Sequence, residues 1–359
     1  MPAKQAVQKR KHFSQVSVRC QTYFCTMSSL IGVDLKKAAA LLRAGELVAI
    51  PTETVYGLAA NALLEDAVLK IYQVKNRPQF NPLILHFANY QQLQACGLEL
   101  PPMALLLAAK FSPGPLTYVI PTSAEIPGIV SAGTPAVAVR FPNHPFTLEL
   151  LQQLDFPVAA PSANPSGYVS PTSAAHVASQ LGNSISYILD GGDCAIGVES
   201  TIISFLEEQP RLLRHGGIPV EAIEAVIGPV NLPGDGFVDN PIAPGMLARH
   251  YATRHPLQIG NLEELVKQAL TRHSPSEIAT ISFTEPVSGI PATNQFILSP
   301  SGDLSEAARR LFAALRLADE MTVSLILAAV FPEEGLGRAI NDRLKRASAP
   351  APASIPPSH

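Results

Sequence analysis

The chain reads PTETVYGL at Pro51–Leu58 and, one predicted helix later, KNRPQFNPLILH at Lys75–His86. The two segments combine hydroxyl, carboxylate, cationic, amide and imidazole groups between apolar runs of strand type, a mixture that indicates a site rather than a core. One uncharged residue separates Lys75 from Arg77, and Pro78 disfavours a helix that continues through them. Both cations can therefore converge on one anion. The first hypothesis is a site for a phosphate-bearing ligand.

The composition around these segments is that of a globular protein. The chain has 359 residues, of which 47% are hydrophobic, and this length favours two domains over one. No apolar run approaches the roughly 20 residues that a membrane-spanning helix needs. The four cysteines show no metal-ligand spacing and are too sparse for a disulfide framework, so we expect reduced thiols and a cytoplasmic protein.

The charge is distributed unevenly along the chain. The net charge of −3 gives no support for a protein whose main role is electrostatic binding of nucleic acid. Residues 1–26 carry five basic and no acidic groups, whereas residues 27–229 carry 10 basic and 16 acidic groups, and residues 258–346 carry 9 and 11. We expect residues 1–27 to form a basic, disordered extension, with an organellar or RNA-contacting arm as the alternative.

Helix and strand signals alternate through residues 28–228, the predicted first domain. Asp34 is an N-cap type residue before an apolar helical pattern that stops at Gly45, and the apolar run after it enters the PTET turn as a strand. Further strands are predicted at 83–87, 116–120, 137–141, 157–160, 187–189, 201–205 and 211–214, and further helices at 65–75, 101–110, 172–181 and 219–228. Because strands outnumber helices, the pattern predicts a mixed, twisted α/β sheet.

The pattern changes after residue 228. Residues 229–256 are rich in Pro, Gly, Asp and Asn and predict a linker, which contains the polar cluster PGMLARHY. Residues 257–347 return to alternating helix and strand signals, which predict a small parallel α/β domain. Residues 348–359 are predicted to be a disordered tail.

Polar side chains also interrupt the ends of later strands, where α/β sheets hold ligands. They are Arg140, Ser162, Asn164, Ser170, Glu199, Ser200, Thr201 and Arg214. Each of them alone has an ordinary explanation as a cap, a turn residue or a surface contact, and His86 fits a buried core histidine equally well. The chain lacks a P-loop, so ATP would have to bind by another device. No Ser-His-Asp or Cys-His set stands out, so covalent catalysis has no candidate nucleophile with a named base.

Several motifs in a fixed order resemble the threonylcarbamoyl-AMP synthase family, also called YrdC-like. They are PTETVYGL, K-x-R-P with NPL-x-x-H after it, VAVRFP, PSAN, SPT, GVESTI and RHGG. The clusters PGMLARHY and GLGRAINDRL resemble the long two-domain form, so the resemblance extends over residues 30–347. It implies a YrdC-like twisted mixed sheet with flanking helices, plus a smaller C-terminal Rossmann-like parallel α/β domain, with the linker 229–256 contacting the active site.

The resemblance also implies a reaction. A nucleotidyltransferase of this family makes L-threonylcarbamoyladenylate from L-threonine, bicarbonate or CO2, and ATP, and releases pyrophosphate, for threonylcarbamoyladenosine modification of tRNA. Mg2+ would enter with ATP, because no tight Asp/Glu cage is visible in the sequence. A downstream tRNA threonylcarbamoyl transferase would be the partner, a weak RNA contact stays open, and no membrane is involved.

The motif positions imply roles for individual residues. Lys75 and Arg77 would be catalytic and act on the phosphates. Threonine would contact Thr54, His86, Arg140, Ala160 and Ser200. ATP would contact Arg77, Asn81, Ser162, Asn164, Ser170, Arg214 and Tyr251, with His250 as the alternative to Tyr251. Two positions depart from the family pattern, since Thr253 replaces a frequent proline in the linker and Ala136 replaces a frequent hydroxyl residue.

Two other interpretations stay open at this point. The acidic domains and the lack of aromatic stacking motifs argue against an RNA-binding module without chemistry. A carbamoyl transferase for metallocentre maturation would carry paired C-x-x-C motifs, which are absent. The role of the second domain is not readable from residues alone, and the prediction is that it gates the active site through the linker.

Overall fold

The structure, a computed structural model, describes residues 30–232, 242–244 and 250–350. The predicted N-terminal extension, most of the PGMLARHY cluster and the tail beyond residue 350 lie outside these residues. The described chain forms two β-sheets with helices packed against them.

The first sheet contains ten strands. They are β1 (Ile31–Gly32), β2 (Val48–Ile50), β3 (Gly57–Asn61), β4 (Ile84–His86), β5 (Leu116–Pro121), β6 (Ala136–Arg140), β7 (Val158–Ala159), β8 (Tyr187–Leu189), β9 (Thr201–Ser204) and β10 (Arg211–Arg214). Their order across the sheet is β1-β8-β2-β3-β7-β4-β6-β5-β9-β10. Parallel pairs such as β4–β6 and β5–β9 alternate with antiparallel pairs such as β5–β6 and β9–β10, so the predicted mixed sheet is confirmed.

Seven helices accompany this sheet in the described residues. They are α1 (Leu35–Arg43), α2 (Glu65–Lys75), α3 (Tyr90–Ala95), α4 (Pro102–Phe111), α5 (Pro145–Gln152), α6 (Ala174–Leu181) and α7 (Val220–Ile227). The Asp34 side chain caps α1 by accepting a hydrogen bond of 3.0 Å from the amide of Lys37. Helix α3 was not predicted because six residues are too few to establish an apolar period, and helix α5 was not predicted either.

The second sheet is small and parallel. Its strands are β11 (Leu257–Gly260), β12 (Ile278–Ser282), β13 (Gln295–Ile297) and β14 (Leu325–Ala329), in the order β11-β14-β12-β13. All its pairs are parallel. Helices α8 (Leu262–Ala269), α9 (Leu304–Glu320) and α10 (Gly337–Ser348) pack with it. The predicted parallel α/β arrangement is confirmed, although strand β11 was not predicted.

One hydrophobic cluster joins the two parts of the chain. Val55, Val169 and Val198, from loops of the first sheet, pack with Phe312 and Leu315 of α9. All five side chains are buried. Because Val55 lies in the PTETVYGL segment, this shared core brings the second part of the chain against the loops of the predicted site.

Candidate active site

The strand register aligns the polar side chains that interrupt the strand ends. His86 lies opposite Arg140 in the parallel pair β4–β6, and Thr117 of β5 lies opposite Arg140 from the other side. Arg214 lies opposite Ile202 in the antiparallel pair β9–β10. Strand β5 is antiparallel to β6, β9 is parallel to β5, and β10 is antiparallel to β9. The carboxyl ends of β4, β6 and β10 therefore lie at the same edge of the sheet, where His86, Arg140 and Arg214 come together.

A cavity opens over this edge. Together with its open mouth it encloses about 540 Å3 of empty space. Nine of the predicted site residues line it: Thr54, Arg77, His86, Arg140, Ala160, Ser162, Ser200, Arg214 and Tyr251. The alternative linker residue His250 lines it as well, together with Pro244. Four predicted residues, Lys75, Asn81, Asn164 and Ser170, do not line the cavity and lie behind its wall.

Arg140 forms a buried ion pair that spacing along the chain could not reveal. Its Nη2 donates to Glu53 Oε1 at 2.6 Å, and its Nε donates to the carbonyl of Gly114 at 3.3 Å. The other Glu53 oxygen accepts from the amide of Asn143 at 3.0 Å. Arg140 Nη1 has no hydrogen bond within the described residues, so it can receive the carboxylate of a ligand. Glu53 is not among the predicted site residues; its place between two threonines of the PTET turn is the available signal.

His86 and Thr54 offer acceptors beside this cation. His86 Nδ1 lies 3.1 Å from the carbonyl of Ile84, which requires a proton on Nδ1 and leaves a lone pair on Nε2. Burial, and then the charge of Arg140, lower the pKa of His86 to about 3, so the ring is neutral. Thr52 Oγ1 donates to the carbonyl of Val55 at 2.6 Å and lies 2.8 Å from Thr54 Oγ1. Thr54 must then donate to Thr52, and its lone pairs are free to accept from a ligand.

Arg77 reaches the cavity from the turn that ends α2. Asn76 adopts a left-handed conformation with φ 49°, and the chain turns there so that Lys75 and Arg77 diverge. Arg77 donates from Nη2 to Asn81 Oδ1 at 2.6 Å and to the carbonyl of Pro82 at 2.8 Å. Its Nη1 has no partner within the described ranges. Asn81 is therefore a support for Arg77.

Lys75 takes a different position. It is 1% exposed, and its Nζ donates to the carbonyls of Ser162 and Asn164, which belong to the PSAN motif. The side-chain nitrogen of Asn164, Nδ2, donates to the carbonyls of Pro165 and Tyr168 at 2.9 and 2.8 Å. Lys75 thus holds the loop that carries Ser162 into the cavity wall.

Lys75, Arg77 and Arg214 form a cationic group without a matching anion. Arg214 donates to the carbonyl of Ser200 from Nε and Nη2, at 3.1 and 2.9 Å. Across the part of the chain that the structure describes, no carboxylate lies within 4.0 Å of any of the three cations. Burial lowers the pKa of Arg77 to about 10 and that of Lys75 well below its usual range, and the neighbouring cations act in the same direction. This arrangement favours binding of an anion.

Glu199 is a buried carboxylate at the wall of the cavity. Its Oε1 accepts from Ser170 Oγ at 2.6 Å, and its Oε2 accepts from Nε and Nη2 of Arg343 at 3.1 and 3.0 Å. Burial alone would raise the pKa of Glu199, but the charges of Arg343 and Arg214 outweigh it and bring the pKa to about 2. Arg343 was not predicted as a site residue, because 144 positions separate it from Glu199.

Two linker residues close the described wall with unpartnered polar atoms. Tyr251 is fully buried, with φ 63°, and its ring stacks on Phe312 at a centroid distance of 5.3 Å. The Tyr251 hydroxyl, His250 Nδ1 and Asn164 Oδ1 are buried and have no hydrogen-bond partner among the described residues. Buried polar groups are normally paired, and of these three residues Tyr251 and His250 line the cavity, where a ligand could supply the missing partner.

The described residues contain no group of three or more His, Cys, Asp or Glu side chains that could hold a metal ion. Glu53 and Glu199, the carboxylates nearest the cavity, are each paired with an arginine. Among the described helices, none has the length and apolar character needed to cross a membrane.

Comparisons with known proteins cover most of the chain. A Sua5/YciO/YrdC family model, described as telomere recombination, matches residues 40–216, and a model described as the C-terminal domain of threonylcarbamoyl-AMP synthase matches residues 218–349. The threonylcarbamoyl-AMP synthase of Pyrococcus abyssi is 43% identical over 88% of this chain and 94% of its own length. The Bacillus subtilis threonylcarbamoyl-AMP synthase is 44% identical over 88% and 93%.

A solved structure has the same fold. The crystal structure of Pyrococcus abyssi Sua5 complexed with L-threonine matches with a TM-score of 0.82 and 42% identity, over 89% of this chain and 97% of that one. The fold class and the family resemblance predicted from the motifs are confirmed by these matches. The chain belongs to the threonylcarbamoyl-AMP synthase family.

Proposed function

We propose that the cavity joins L-threonine, CO2 or bicarbonate, and ATP into L-threonylcarbamoyladenylate and releases pyrophosphate. Family membership supports the enzyme class and the overall reaction. The reaction is assigned to this cavity because two different cationic groups lie at its wall. We define the Arg140 group as Thr54, His86 and Arg140 with Glu53, and the Arg77 group as Lys75, Arg77 and Arg214.

The Arg140 group suits a zwitterionic amino acid. Arg140 Nη1 can donate to the carboxylate, while Thr54 Oγ1 and His86 Nε2 can accept from the amine and the side-chain hydroxyl of threonine. Ser200 Oγ, which lies 2.7 Å from Thr117 Oγ1, lines the same wall, and Ala160 limits its width. A relative, Pyrococcus abyssi Sua5, has been crystallised with L-threonine, which supports this assignment.

The Arg77 group suits the phosphates of ATP. Arg77 and Arg214 line the cavity without a carboxylate partner, so a polyphosphate would supply the missing negative charge. Ser162 and the unpartnered hydroxyl of Tyr251 would contact the rest of the nucleotide, and Asn164 would act from behind the wall by shaping the PSAN loop. Asn81 and Ser170 would act one contact further back, through Arg77 and Glu199 respectively.

Mg2+ belongs in this proposal as part of the Mg-ATP substrate. With Glu53 and Glu199 each engaged by an arginine, the described part of the wall offers no free carboxylate cage for a resident ion. Phosphate oxygens would therefore supply most of its ligands.

The chemistry needs positioning more than a side-chain nucleophile. The threonine ammonium first loses a proton to water, and the resulting neutral amine attacks CO2; the N–C bond of a carbamate forms and a second proton leaves to water. A carbamate oxygen then attacks the α-phosphorus, and the bond to pyrophosphate breaks. Holding the amine and the α-phosphorus in one cavity supplies much of the rate, and Arg77 and Arg214 would stabilise the charge on the departing pyrophosphate. Lys75 would contribute by fixing the PSAN loop.

The steps outside this cavity stay proposals. The unstable product would be consumed by a transferase that moves the threonylcarbamoyl group to an adenosine of tRNA, with or without a weak RNA contact of this chain. We expect that activity in the cytoplasm. The prediction that the second domain gates the site through the linker also stays a proposal, because residues 245–249 lie outside the described chain.

Substrate-dependent pyrophosphate release tests the proposed function. The full chain is incubated with ATP, Mg2+ and bicarbonate in the presence of each amino acid in turn, and pyrophosphate is measured. We expect release with L-threonine and little with valine, which lacks the hydroxyl that Thr54 and His86 would bind. Pyrophosphate release that does not depend on the amino acid, or no release with threonine, would contradict the proposal.

A further inference from the structure

The second part of the chain reaches the cavity through buried polar side chains. On α9, Arg316 donates from Nε to the Ser170 carbonyl at 3.3 Å, and Asp319 accepts from the Tyr168 hydroxyl at 2.7 Å. On α10, Arg343 is fully buried and pairs with Glu199. Of these residues, Arg343 lies closest to the charges that we assign to ATP binding.

We propose that Arg343, supplied by the second part of the chain, is a positioning residue of the active site that keeps Arg214 available for the phosphates by neutralising Glu199. The inference rests on the proposed function of the cavity and extends it by naming which residue maintains the charge of the Arg77 group.

Arg343 joins the two segments that carry Ser200 and Arg214. Besides Glu199, its guanidinium donates from Nη1 to the carbonyl of His215, the residue after Arg214. The two segments touch closely, since a Cβ at Gly216 would lie 2.3 Å from the Ser200 carbonyl carbon. A small movement of Glu199 would therefore be transmitted to both segments.

The charge balance explains why this pairing matters. Glu199 is close enough to Arg214 for each to influence the ionisation of the other, yet it directs both oxygens to Arg343 and Ser170. Arg343 also donates to Asp342 at 3.0 Å, but Asp342 keeps a second partner in Arg346. Without Arg343, Glu199 would be a buried carboxylate left with Arg214 as the arginine that acts on its ionisation. The two would then pair, because an unpaired buried charge is strongly unfavourable. The Arg77 group would lose one of its cations to an internal ion pair.

The contact between the two parts of the chain does not depend on Arg343 alone. Arg316, the Tyr168–Asp319 hydrogen bond and the apolar cluster around Phe312 remain when Arg343 is removed. A matched control is also available. Arg338 on the same helix pairs with Glu221 of α7 through partly exposed side chains, and neither residue lines the cavity. Replacing Arg338 removes a cation of α10 without touching the site.

The experiment compares four full-length variants with the wild type. They are Arg343→Met, Glu199→Gln, the double variant and Arg338→Met. For each, threonine-dependent pyrophosphate release gives the KM for ATP and for threonine, and titration with α,β-methylene-ATP gives the affinity for the nucleotide. Thermal unfolding reports stability.

For Arg343→Met we expect the KM for ATP to rise at least about 30-fold while the KM for threonine changes less than about threefold. Adding Glu199→Gln should restore the KM for ATP to within about fivefold of the wild type, because glutamine still accepts from Ser170 but no longer competes for Arg214. Arg338→Met should behave like the wild type.

Three results would overturn the proposal: a normal KM for ATP in Arg343→Met, a double variant whose KM for ATP is no lower than that of Arg343→Met, or equal loss in Arg338→Met. If Arg343→Met does not fold, the double variant decides, since wild-type-like nucleotide affinity supports the role and failure to fold or bind refutes it. Absence of turnover in the wild type would contradict the proposed function instead. The affinity of each variant for α,β-methylene-ATP would still test the role of Arg343.

Discussion

The Arg140 group and the Arg77 group share one cavity but differ in charge balance. Arg140 is neutralised by Glu53 at 2.6 Å, whereas Arg77, Arg214 and Lys75 have only neutral oxygen acceptors in the described residues. A neutralised cation suits a zwitterion, which carries no net charge, while an unbalanced cluster suits a polyanion such as Mg-ATP. The comparison teaches that the pairing of each cation, more than its presence, separates the two substrates.

Removing one unbalanced cation should give the largest effect. For Arg77→Gln we expect kcat/KM for ATP to fall about 100- to 1,000-fold, because the group that stabilises the phosphate charge loses a donor in a buried site. The affinity for threonine should change less than about threefold. Steady-state pyrophosphate release measures both. Arg211→Gln, an exposed arginine on the strand that carries Arg214, is the control, and a similar loss there would break the comparison.

Changing the geometry of the balanced cation should have a smaller effect. Arg140→Lys keeps the charge opposite Glu53 but loses the second nitrogen that would hold a carboxylate. We expect the KM for threonine to rise about 10- to 50-fold, with the KM for ATP nearly unchanged. A rise in the KM for ATP instead would show that Arg140 serves the nucleotide.

The neutral state of His86 makes a prediction about stability and pH. The pKa of His86 is about 3 in the folded chain and near 6.5 when exposed, so between these values the unfolded chain binds one more proton. The contribution of neutral His86 to the free energy of unfolding is therefore fully present above pH 6.5 and is lost as the pH falls towards 3. His86→Asn should reduce the slope of the free energy of unfolding by about 1.4 kcal/mol per pH unit between pH 4 and 6. Urea unfolding at several pH values measures it, and an unchanged slope would refute the assignment of a neutral His86.

A change in salt concentration should have the smallest effect on the KM values of the two substrates. Raising the concentration of KCl from 0.05 to 0.5 M should increase the KM for ATP by about two- to fourfold and the KM for threonine less, because only the Arg77 group attracts its ligand through unbalanced charge. Equal salt effects on both substrates would weaken the comparison between the groups.

Much of the fold was predictable because its longer elements carry clear signals. The alternation of apolar runs predicted the mixed sheet and the parallel sheet. Nine of the predicted site residues line the cavity; most lie beside strand ends, whereas Arg77 follows a helix and Tyr251 lies in the linker. Helices α3 and α5 were missed, α3 because its six residues show too little periodicity. The K-x-R spacing suggested that both cations face one anion, yet the left-handed Asn76 turns Lys75 towards the PSAN carbonyls.

The pairing of charges was not predictable from spacing. Glu53 and Arg140 lie 87 positions apart, and Glu199 and Arg343 lie 144 positions apart. Only the register of the sheet and the packing of α10 against the first part of the chain bring these partners together. Side chains that lie far apart along the chain decide the charge balance of the cavity.

Equilibrium titration of the full chain with α,β-methylene-ATP and Mg2+, with and without saturating L-threonine, tests the central claim most directly. We expect one nucleotide to bind per chain, with an affinity that threonine leaves unchanged or improves, because the two ligands occupy different groups of one cavity. Competition, seen as a nucleotide Kd that rises in proportion to the threonine concentration, would contradict the assignment of two separate sites.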